Sequence, residues 1–279
     1  MKKDKRTVYY KRTDDDFAGN NIKTKPVGSS FVYIRKNPLW RLGSFLIYRV
    51  IAFPIVFVVC KVVFGLRIKN RKAVRKLRKT GYFIYGNHTQ ALDAFTPHLV
   101  SCPKRSYIVT SPDSVSIPGL KTVVRMLGAI PLPETVSGMK NMVSAINRRC
   151  EQGNCIVIFP EAHIWPYYTG VRPFDSRSFS YPAKLRVPVV AMTLTYRRRK
   201  GLLAFIKKPA WTLYVSDPFY PDMSLTDRQQ RESYRNSVYD FMVKCSSRAD
   251  NYEYVRYVNE SDSAERCGAD DGTDEAITA

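Results

Sequence analysis

The sequence predicts an α/β fold in which a mostly parallel sheet is flanked by helices and preceded by an N-terminal membrane-associated helical segment. Short runs of β-branched and aromatic residues alternate with stretches of helical periodicity, a pattern typical of a parallel sheet covered by helices. A long apolar segment lies ahead of the first of these runs. The predicted strands span residues 82–85, 106–110, 155–159, 187–195 and 211–216.

Helices are predicted between and after these strands. Residues 138–150 have helical periodicity, and residues 227–249 predict a closing amphipathic helix. The residues expected on the core face of the closing helix are Tyr234, Val238, Phe241 and Met242.

Four parts are predicted along the 279 residues. A basic N-terminal arm (1–38) precedes an apolar membrane-associated segment with a basic helix (39–80), and the α/β domain follows (81–258). The last part, 259–279, is an acidic tail without aromatic residues, so we predict that it is disordered. A hydrophobic content of 44% suffices for one core, and a net charge of +21 favours an anionic partner such as a membrane surface or a nucleic acid.

The apolar segment covers 22 positions, Phe45–Leu66, interrupted by Arg49 and Lys61, with a bend expected at Pro54. As a straight helix it would measure about 33 Å, enough for a hydrocarbon core of about 30 Å. Its charge-free part, residues 50–60, would measure only about 16 Å, which favours a monotopic segment over a single transmembrane anchor.

Basic residues flank the apolar segment on both sides. Eight of the 13 residues from Arg67 to Lys79 are Lys or Arg, and none is acidic. Both flanks are therefore expected on the cytoplasmic face of the cell membrane, with the basic run against anionic headgroups.

The most informative polar residues are His88 and Asp93, which follow the apolar run 82–85. Five helical steps would turn their side chains about 140° apart, so they can meet only if the chain turns and a helix begins near Thr89 or Gln90. The carboxylate would then fix the imidazole tautomer and leave the other ring nitrogen free to take a proton from a hydroxyl. A histidine that merely caps a helix is the alternative.

A second predicted strand, 155–159, ends in Pro160 and Glu161, and two strand ends with convergent polar groups predict a cleft at the sheet edge. Together with blocks that follow one another in the same order, these residues make the sequence resemble the glycerolipid acyltransferase family, bacterial type. This family includes 1-acylglycerol-3-phosphate acyltransferases. The resemblance covers about residues 80–225. It is carried by four blocks: Asn87-His88-x4-Asp93, Gly128-Ala-Ile-Pro-Leu-Pro133, Phe159-Pro160-Glu161 and Val187-Pro188-Val189-Val190.

The resemblance implies that His88 is the catalytic base and that Asp93 orients it. It also implies that residues 81–258 form the acyltransferase domain, with the Phe-Pro-Glu block helping to hold the acceptor. The substrate-binding residues implied by the resemblance are Gly128, Pro131, Phe159, Pro160, Glu161 and Arg172.

Two departures from the family pattern concern the acceptor. Many relatives carry an arginine soon after Phe-Pro-Glu-Gly, whereas ten residues separate Glu161 from Arg172 here. Pro133 stands near the place where the second block of phosphate-handling relatives ends in an arginine. Candidate replacements for binding an acceptor phosphate, each equally well an ordinary surface charge, are Arg125, Lys140 and Lys184.

The implied function is transfer of a fatty acyl group from a thioester, acyl-CoA or acyl carrier protein, to the hydroxyl of a lysophospholipid, with 1-acylglycerol-3-phosphate as the leading acceptor. Another lysolipid or a non-glycerol alcohol is the alternative. A lipid-binding relative without turnover and a basic nucleic-acid-binding protein are the other readings. The last finds no supporting motif, so no nucleic-acid partner is expected.

Other chemistries lack their motifs. The sequence has no Gly-x-Ser-x-Gly, Walker or Gly-x-Gly-x2-Gly pattern, and its six cysteines show no Cys-x2-Cys spacing, so they are expected to be reduced. No cofactor and no metal are expected, because the three histidines match no ligand spacing. Trp165, Tyr167 and Tyr168 are expected either at membrane headgroup depth or in the core.

Overall fold

The computed structural model describes residues 6–17, 19, 22–201 and 204–261. The seven strands of its main sheet are β2 (Arg67–Lys69), β3 (Tyr82–Gly86), β4 (Ser106–Thr110), β5 (Ala129–Pro131), β6 (Cys155–Ile158), β7 (Val189–Arg197) and β8 (Ala210–Val215). They lie in the order β2-β8-β7-β3-β6-β4-β5, and all neighbours are parallel except β7 and β8. The predicted α/β class with a mostly parallel sheet is confirmed.

The central strands β3 and β6 are buried along their whole length. Strands covered on both faces carry continuous apolar runs, which is why the sequence located them correctly. The helices of the main body are α2 (Thr96–Ser101), α3 (Lys121–Met126), α4 (Val136–Glu151), α5 (Ser180–Leu185) and α6 (Asp227–Ser246).

The two predicted long helices are present, with side-chain caps at their N-termini. Thr135 accepts from the Gly138 N–H ahead of α4, and Thr226 forms a capping box with Gln229 ahead of α6. On α6 the predicted core residues Tyr234, Val238 and Met242 are buried, and Phe241 packs against the same core.

The apolar segment forms one helix, α1 (Pro38–Val63), of 26 residues. It is not interrupted at Pro54, because π-helical turns at Leu46–Ala52 precede a short α-helical stretch in which the proline lies in the first turn. At 1.5 Å per residue it measures about 39 Å, and one face of it is exposed while Tyr48 and Cys60 pack against the body.

The predicted basic helix at the end of the 39–80 part is only partly present. Residues Arg67–Lys69 form the edge strand β2, parallel to β8, and only Arg71–Leu77 is helical, as 3-10 turns. The physical reason is that Ala73, Val74 and Leu77 are buried beneath the run, while the cations between them remain exposed.

The N-terminal arm packs on the body. Strand β1 (Arg6–Tyr10) pairs in parallel with β9 (Val255–Asn259), close to the end of the described chain. Beyond Ser261 the predicted disordered tail, together with Cys267, lies outside the described residues. The five cysteines in the described part are free thiols.

Candidate active site

Two neighbouring strands deliver the polar residues of the site. Strands β3 and β6 are parallel and adjacent, so the loops that follow them leave the same edge of the sheet. Asn87 and His88 follow β3, and Phe159, Pro160 and Glu161 follow β6. The sheet therefore brings the first and third sequence blocks together.

His88 and Asp93 form a direct hydrogen bond. The His88 Nδ1 lies 2.8 Å from the Asp93 Oδ1, and the chain turns between them before a 3-10 helix that begins at Asp93. A carboxylate only accepts hydrogen bonds, so Nδ1 carries the proton and Nε2 keeps its lone pair. The His88 imidazole is 15% exposed and the Asp93 carboxylate 1% exposed. A substrate can therefore reach the pair at the imidazole, while the carboxylate is buried.

The carboxylate of Asp93 is itself fixed by the backbone. Its Oδ2 accepts the N–H groups of Thr89 at 2.8 Å and Gln90 at 2.9 Å. The His88 ring is stacked on Phe159 with ring centroids 4.5 Å apart. The Asp93 carboxylate and the Phe159 ring therefore fix the orientation of the His88 imidazole. A fixed orientation suits a base that must present one nitrogen to its substrate.

The loop that carries His88 is tied to β7 by residues for which the sequence analysis assigned no role. The Asn87 side chain accepts the Leu194 N–H at 2.7 Å and donates to the Leu194 carbonyl at 3.0 Å. The Thr89 hydroxyl lies 2.8 Å from the Tyr196 hydroxyl. Asn87 was visible as part of the first block, whereas nothing in the sequence marks Tyr196.

Glu161 and Arg172 form a buried ion pair beside His88. The Arg172 Nη2 lies 3.2 Å from the Glu161 Oε2, and the Arg172 backbone N–H donates to Oε1 at 3.1 Å. The His88 N–H reaches the same carboxylate at 3.4 Å. Burial raises the pKa of Glu161, and the Arg172 cation and these donors oppose the rise.

Both terminal nitrogens of the Arg172 guanidinium are engaged by the protein, whereas its buried Nε has no hydrogen-bond partner among the described residues. Besides Glu161, its guanidinium donates to the carbonyls of His163 and Thr13 and lies 5.0 Å from the Trp165 ring centre. In this arrangement it supports the loop that carries Glu161. Its implied role in holding a substrate stays a prediction.

Trp165 belongs to the core, so the headgroup interpretation is wrong for this residue. It is 1% exposed, and its indole N–H donates to the Asp15 carbonyl at 2.7 Å. It is stacked on Tyr257 at 4.9 Å between ring centroids because the arm and β9 cover it. Tyr167 and Tyr168 are half-buried.

The second block is not brought to His88. Gly128 and Pro131 lie at β5, which β4 and β6 separate from β3. A side chain at Gly128 would meet the Ser106 carbonyl at 2.6 Å, and φ is +105°, so packing alone requires glycine there. The Pro131 carbonyl accepts from the Tyr33 hydroxyl at 3.0 Å. The substrate-binding roles implied for both stay predictions.

The other cations and histidines lie apart from the pair. Lys140 and Lys184 are exposed on α4 and α5. His98 packs against Tyr48 in the core with tilted rings, and burial lowers the pKa of its imidazole to about 4. His163 lies 3.8 Å from Asp16. Among the described residues, no group of three or more His, Cys, Asp or Glu side chains could hold a metal ion.

Comparison with known proteins agrees with the fold and with an acyl-transfer function. Residues 65–195, slightly under half of the chain, match the family model described as Acyltransferase. The fold resembles the crystal structure of the 1-acyl-sn-glycerophosphate (LPA) acyltransferase PlsC from Thermotoga maritima, with a TM-score of 0.52 and 16% identity. That match covers 75% of this chain and 88% of that chain. The comparison with curated proteins found no sequence match.

The chain is therefore an enzyme that transfers acyl groups. The family model matched over residues 65–195 agrees with the resemblance to glycerolipid acyltransferases drawn from the sequence blocks.

Proposed function

We propose that the protein moves a fatty acyl group from a thioester donor to the hydroxyl of a lysophospholipid, with 1-acylglycerol-3-phosphate as the leading acceptor and phospholipid biosynthesis as the process served. The observation that carries the proposal is the 2.8 Å contact between His88 Nδ1 and Asp93 Oδ1 at the edge of the sheet. The domain match and the fold similarity support the same reaction class.

In the proposed reaction, His88 Nε2 takes the proton of the acceptor hydroxyl as the oxygen attacks the thioester carbonyl. The C–S bond then breaks, and the imidazolium returns that proton to the departing thiolate, so the protein ends unchanged. Asp93 remains a carboxylate throughout and stabilises the imidazolium through Nδ1. No cofactor and no covalent acyl-enzyme are needed, because the thioester is already activated and the protein has only to position two substrates.

The reaction is tested with the purified chain, lysophosphatidate in vesicles, and either acyl-CoA or acyl carrier protein loaded with the same chain. We expect phosphatidate by mass spectrometry with at least one donor. Parallel assays with other lysolipids and a simple long-chain alcohol identify the acceptor class. Formation of free fatty acid alone, or no turnover with any pairing, would contradict the proposal.

We further propose that α1 holds the enzyme on the cytoplasmic face of the membrane, as a monotopic segment or a single anchor. Its apolar residues are largely exposed: Leu39, Leu42, Phe45, Val50, Ile55 and Val62 have exposed fractions from 55% to 77%. Burying such a side chain in lipid contributes about 1.5–3 kcal/mol. Large exposed apolar surfaces of this kind are typical of membrane contact.

Replacing Val50 and Ile55 together with glutamate is expected to lower binding to neutral phosphatidylcholine vesicles at least about 10-fold, because two apolar contacts are lost and two charges are added. Flotation with vesicles measures the change. A Met223→Glu variant is the control, since Met223 is 74% exposed but lies just before α6. Equal binding of all three proteins would rule out α1 as the membrane contact.

A further inference from the structure

A cavity of about 480 Å³ lies away from the catalytic pair. It is enclosed by residues 31–36 of the arm, the beginning of α1, the starts of β4 and β5, and the end of α4. Arg105 and Gly128 line it and immediately precede β4 and β5, whereas His88 follows the end of β3. Because these strands are parallel, the cavity lies at the edge of the sheet opposite to His88.

The lining of this cavity is strongly positive. Seven of its residues are Lys or Arg and none is Asp or Glu. The six arginines are Arg35, Arg41, Arg105, Arg125, Arg148 and Arg149. Within the described ranges, none of these six forms an ion pair with a carboxylate. Among the described residues, the cavity therefore concentrates positive charge without a carboxylate counter-ion.

Three of the guanidinium groups are held in place. Arg105 donates from Nη2 to the Ser44 hydroxyl at 2.7 Å, and its buried Nε has no hydrogen-bond partner in the described part of the chain. Arg125 donates to the Val32 carbonyl at 2.7 Å, and Arg149 lies 4.6 Å from the centre of the Tyr107 ring. A guanidinium has five N–H donors, so each group keeps donors for a ligand.

The charge is costly without an anion. Burial lowers the pKa of Arg125, and the neighbouring Arg35 acts in the same direction. Burial likewise lowers the pKa of Arg149, with Arg105, Arg148 and Arg41 adding to the effect. Fixed arginine forks match the oxygens of a phosphate group, which would supply the missing charge.

The position beside α1 identifies the source of the phosphate. Trp40, Arg41 and Phe45 of α1 line the cavity, and the exposed apolar residues of the same helix begin at Leu39. A lipid headgroup would enter here with its chains beside the helix, where tryptophan and basic residues are favoured at a membrane interface. A soluble phosphate compound has no acyl chains that could lie beside α1.

We propose that this arginine cavity binds the phosphate headgroup of an anionic membrane phospholipid, at a site separate from the acceptor site next to His88. The proposal rests on the membrane association proposed for α1. Its occupant would orient the enzyme on anionic membrane and would not be consumed in the reaction. Arg125 would accordingly serve this lipid and not the acceptor.

The test compares vesicles of phosphatidylcholine with and without added phosphatidylglycerol. Replacing Arg125 and Arg149 together with glutamine is expected to remove most of the preference for anionic vesicles, at least about 10-fold in partitioning if each charge contributes as is typical near such a surface. A second double variant, Arg41→Gln with Arg148→Gln, should act in the same direction. Both of its residues are exposed, so its fold is not at risk.

The matched control is Arg228→Gln with Lys244→Gln, which removes the same charge from exposed positions on α6. An equal loss of anionic preference in this control would overturn the proposal, because net charge would then explain the effect. Displacement of the wild-type protein from anionic vesicles by coenzyme A or inorganic phosphate, with no displacement of the cavity variants, would assign the cavity to a soluble ligand and would also overturn it.

Neutral vesicles separate this proposal from the proposed membrane association. The cavity variants should bind phosphatidylcholine as the wild type does, through α1. Failure of the wild type to bind any vesicle would reject the membrane role of α1 itself. Retained acyl transfer by the variant with Arg41→Gln and Arg148→Gln on detergent-dispersed substrates would show that the catalytic site is intact, and loss of that activity would count against a separate site.

Discussion

Replacing His88 with alanine is expected to lower kcat about 10²- to 10⁴-fold at saturating donor and acceptor, because the group that takes the hydroxyl proton is removed. The fold should be unaffected, since the imidazole makes one side-chain hydrogen bond, to Asp93, and stacks on Phe159. Turnover by mass spectrometry, together with a thermal unfolding curve of the same preparation, measures both quantities.

The Asp93→Asn variant tests whether Asp93 orients the His88 imidazole, while it leaves the fold unchanged. The amide can still accept the Thr89 and Gln90 N–H groups through its oxygen, but its NH₂ group would then face His88 Nδ1. Nδ1 would have to become the acceptor, so the proton would move to Nε2 and the base would be lost. We expect a large loss of kcat with little change in KM for either substrate.

His163→Ala is the matched control for both variants. Its side chain lies 3.8 Å from Asp16 and is 43% exposed, so removing it leaves the His88 pair untouched. Near-normal turnover is expected. If His88→Ala were as active as His163→Ala, the proposed base would be wrong.

The hydrogen-bonded pair of His88 and Asp93 was predictable because its geometry is local. The apolar runs before His88 and Glu161 mark two buried strands, and a five-residue spacing requires a turn between imidazole and carboxylate. The structure has this turn, although the helix begins at Asp93 and not near Thr89 or Gln90. Backbone N–H groups of the turn bind the carboxylate, and that arrangement delays the helix.

Short strands, and contacts between residues far apart in the sequence, could not be predicted, for a different reason. Strands β2 and β5 have three residues each, too few for a period-2 pattern to emerge. The pairing of β1 with β9 joins the two ends of the described chain, and no local signal specifies it. The same pairing buries Trp165, whose aromatic character alone fits a membrane surface equally well.

The arginine cavity could not be predicted from the sequence either. Its cations come from the arm, α1, α3, α4 and the residue before β4, so they form no run in the sequence. The longest basic run, from Arg67 to Lys79, forms an edge strand and a 3-10 helix instead of a continuous α-helix. Tertiary structure therefore brings positive charges together at a place that no run of basic residues in the sequence indicates.

Replacing Arg172 with methionine is expected to destabilise the fold by about 3–5 kcal/mol at neutral pH, because it leaves the Glu161 carboxylate buried without its partner. The two side chains are 2% and 0% exposed, so solvent cannot compensate. Thermal unfolding in detergent measures the loss, which should lower Tm by about 5–15 °C. Glu161→Gln in the same background should recover a large part of it, because the neutral amide carries no charge to desolvate.

The pH dependence of the Arg172→Met variant distinguishes this cause from simple loss of packing. Burial already raises the pKa of Glu161, and Arg172 opposes the rise, so removing the arginine raises the pKa further. A carboxyl whose pKa is higher in the folded state than in the unfolded state favours folding at low pH and opposes it at high pH. The destabilisation should therefore be largest at neutral pH and shrink as the pH falls toward the usual value for glutamate, about 4.3. A penalty that is the same at pH 5 and pH 8, or one that persists unchanged when Glu161→Gln is added, would show that the lost contacts of Arg172 with the Thr13 and His163 carbonyls dominate instead.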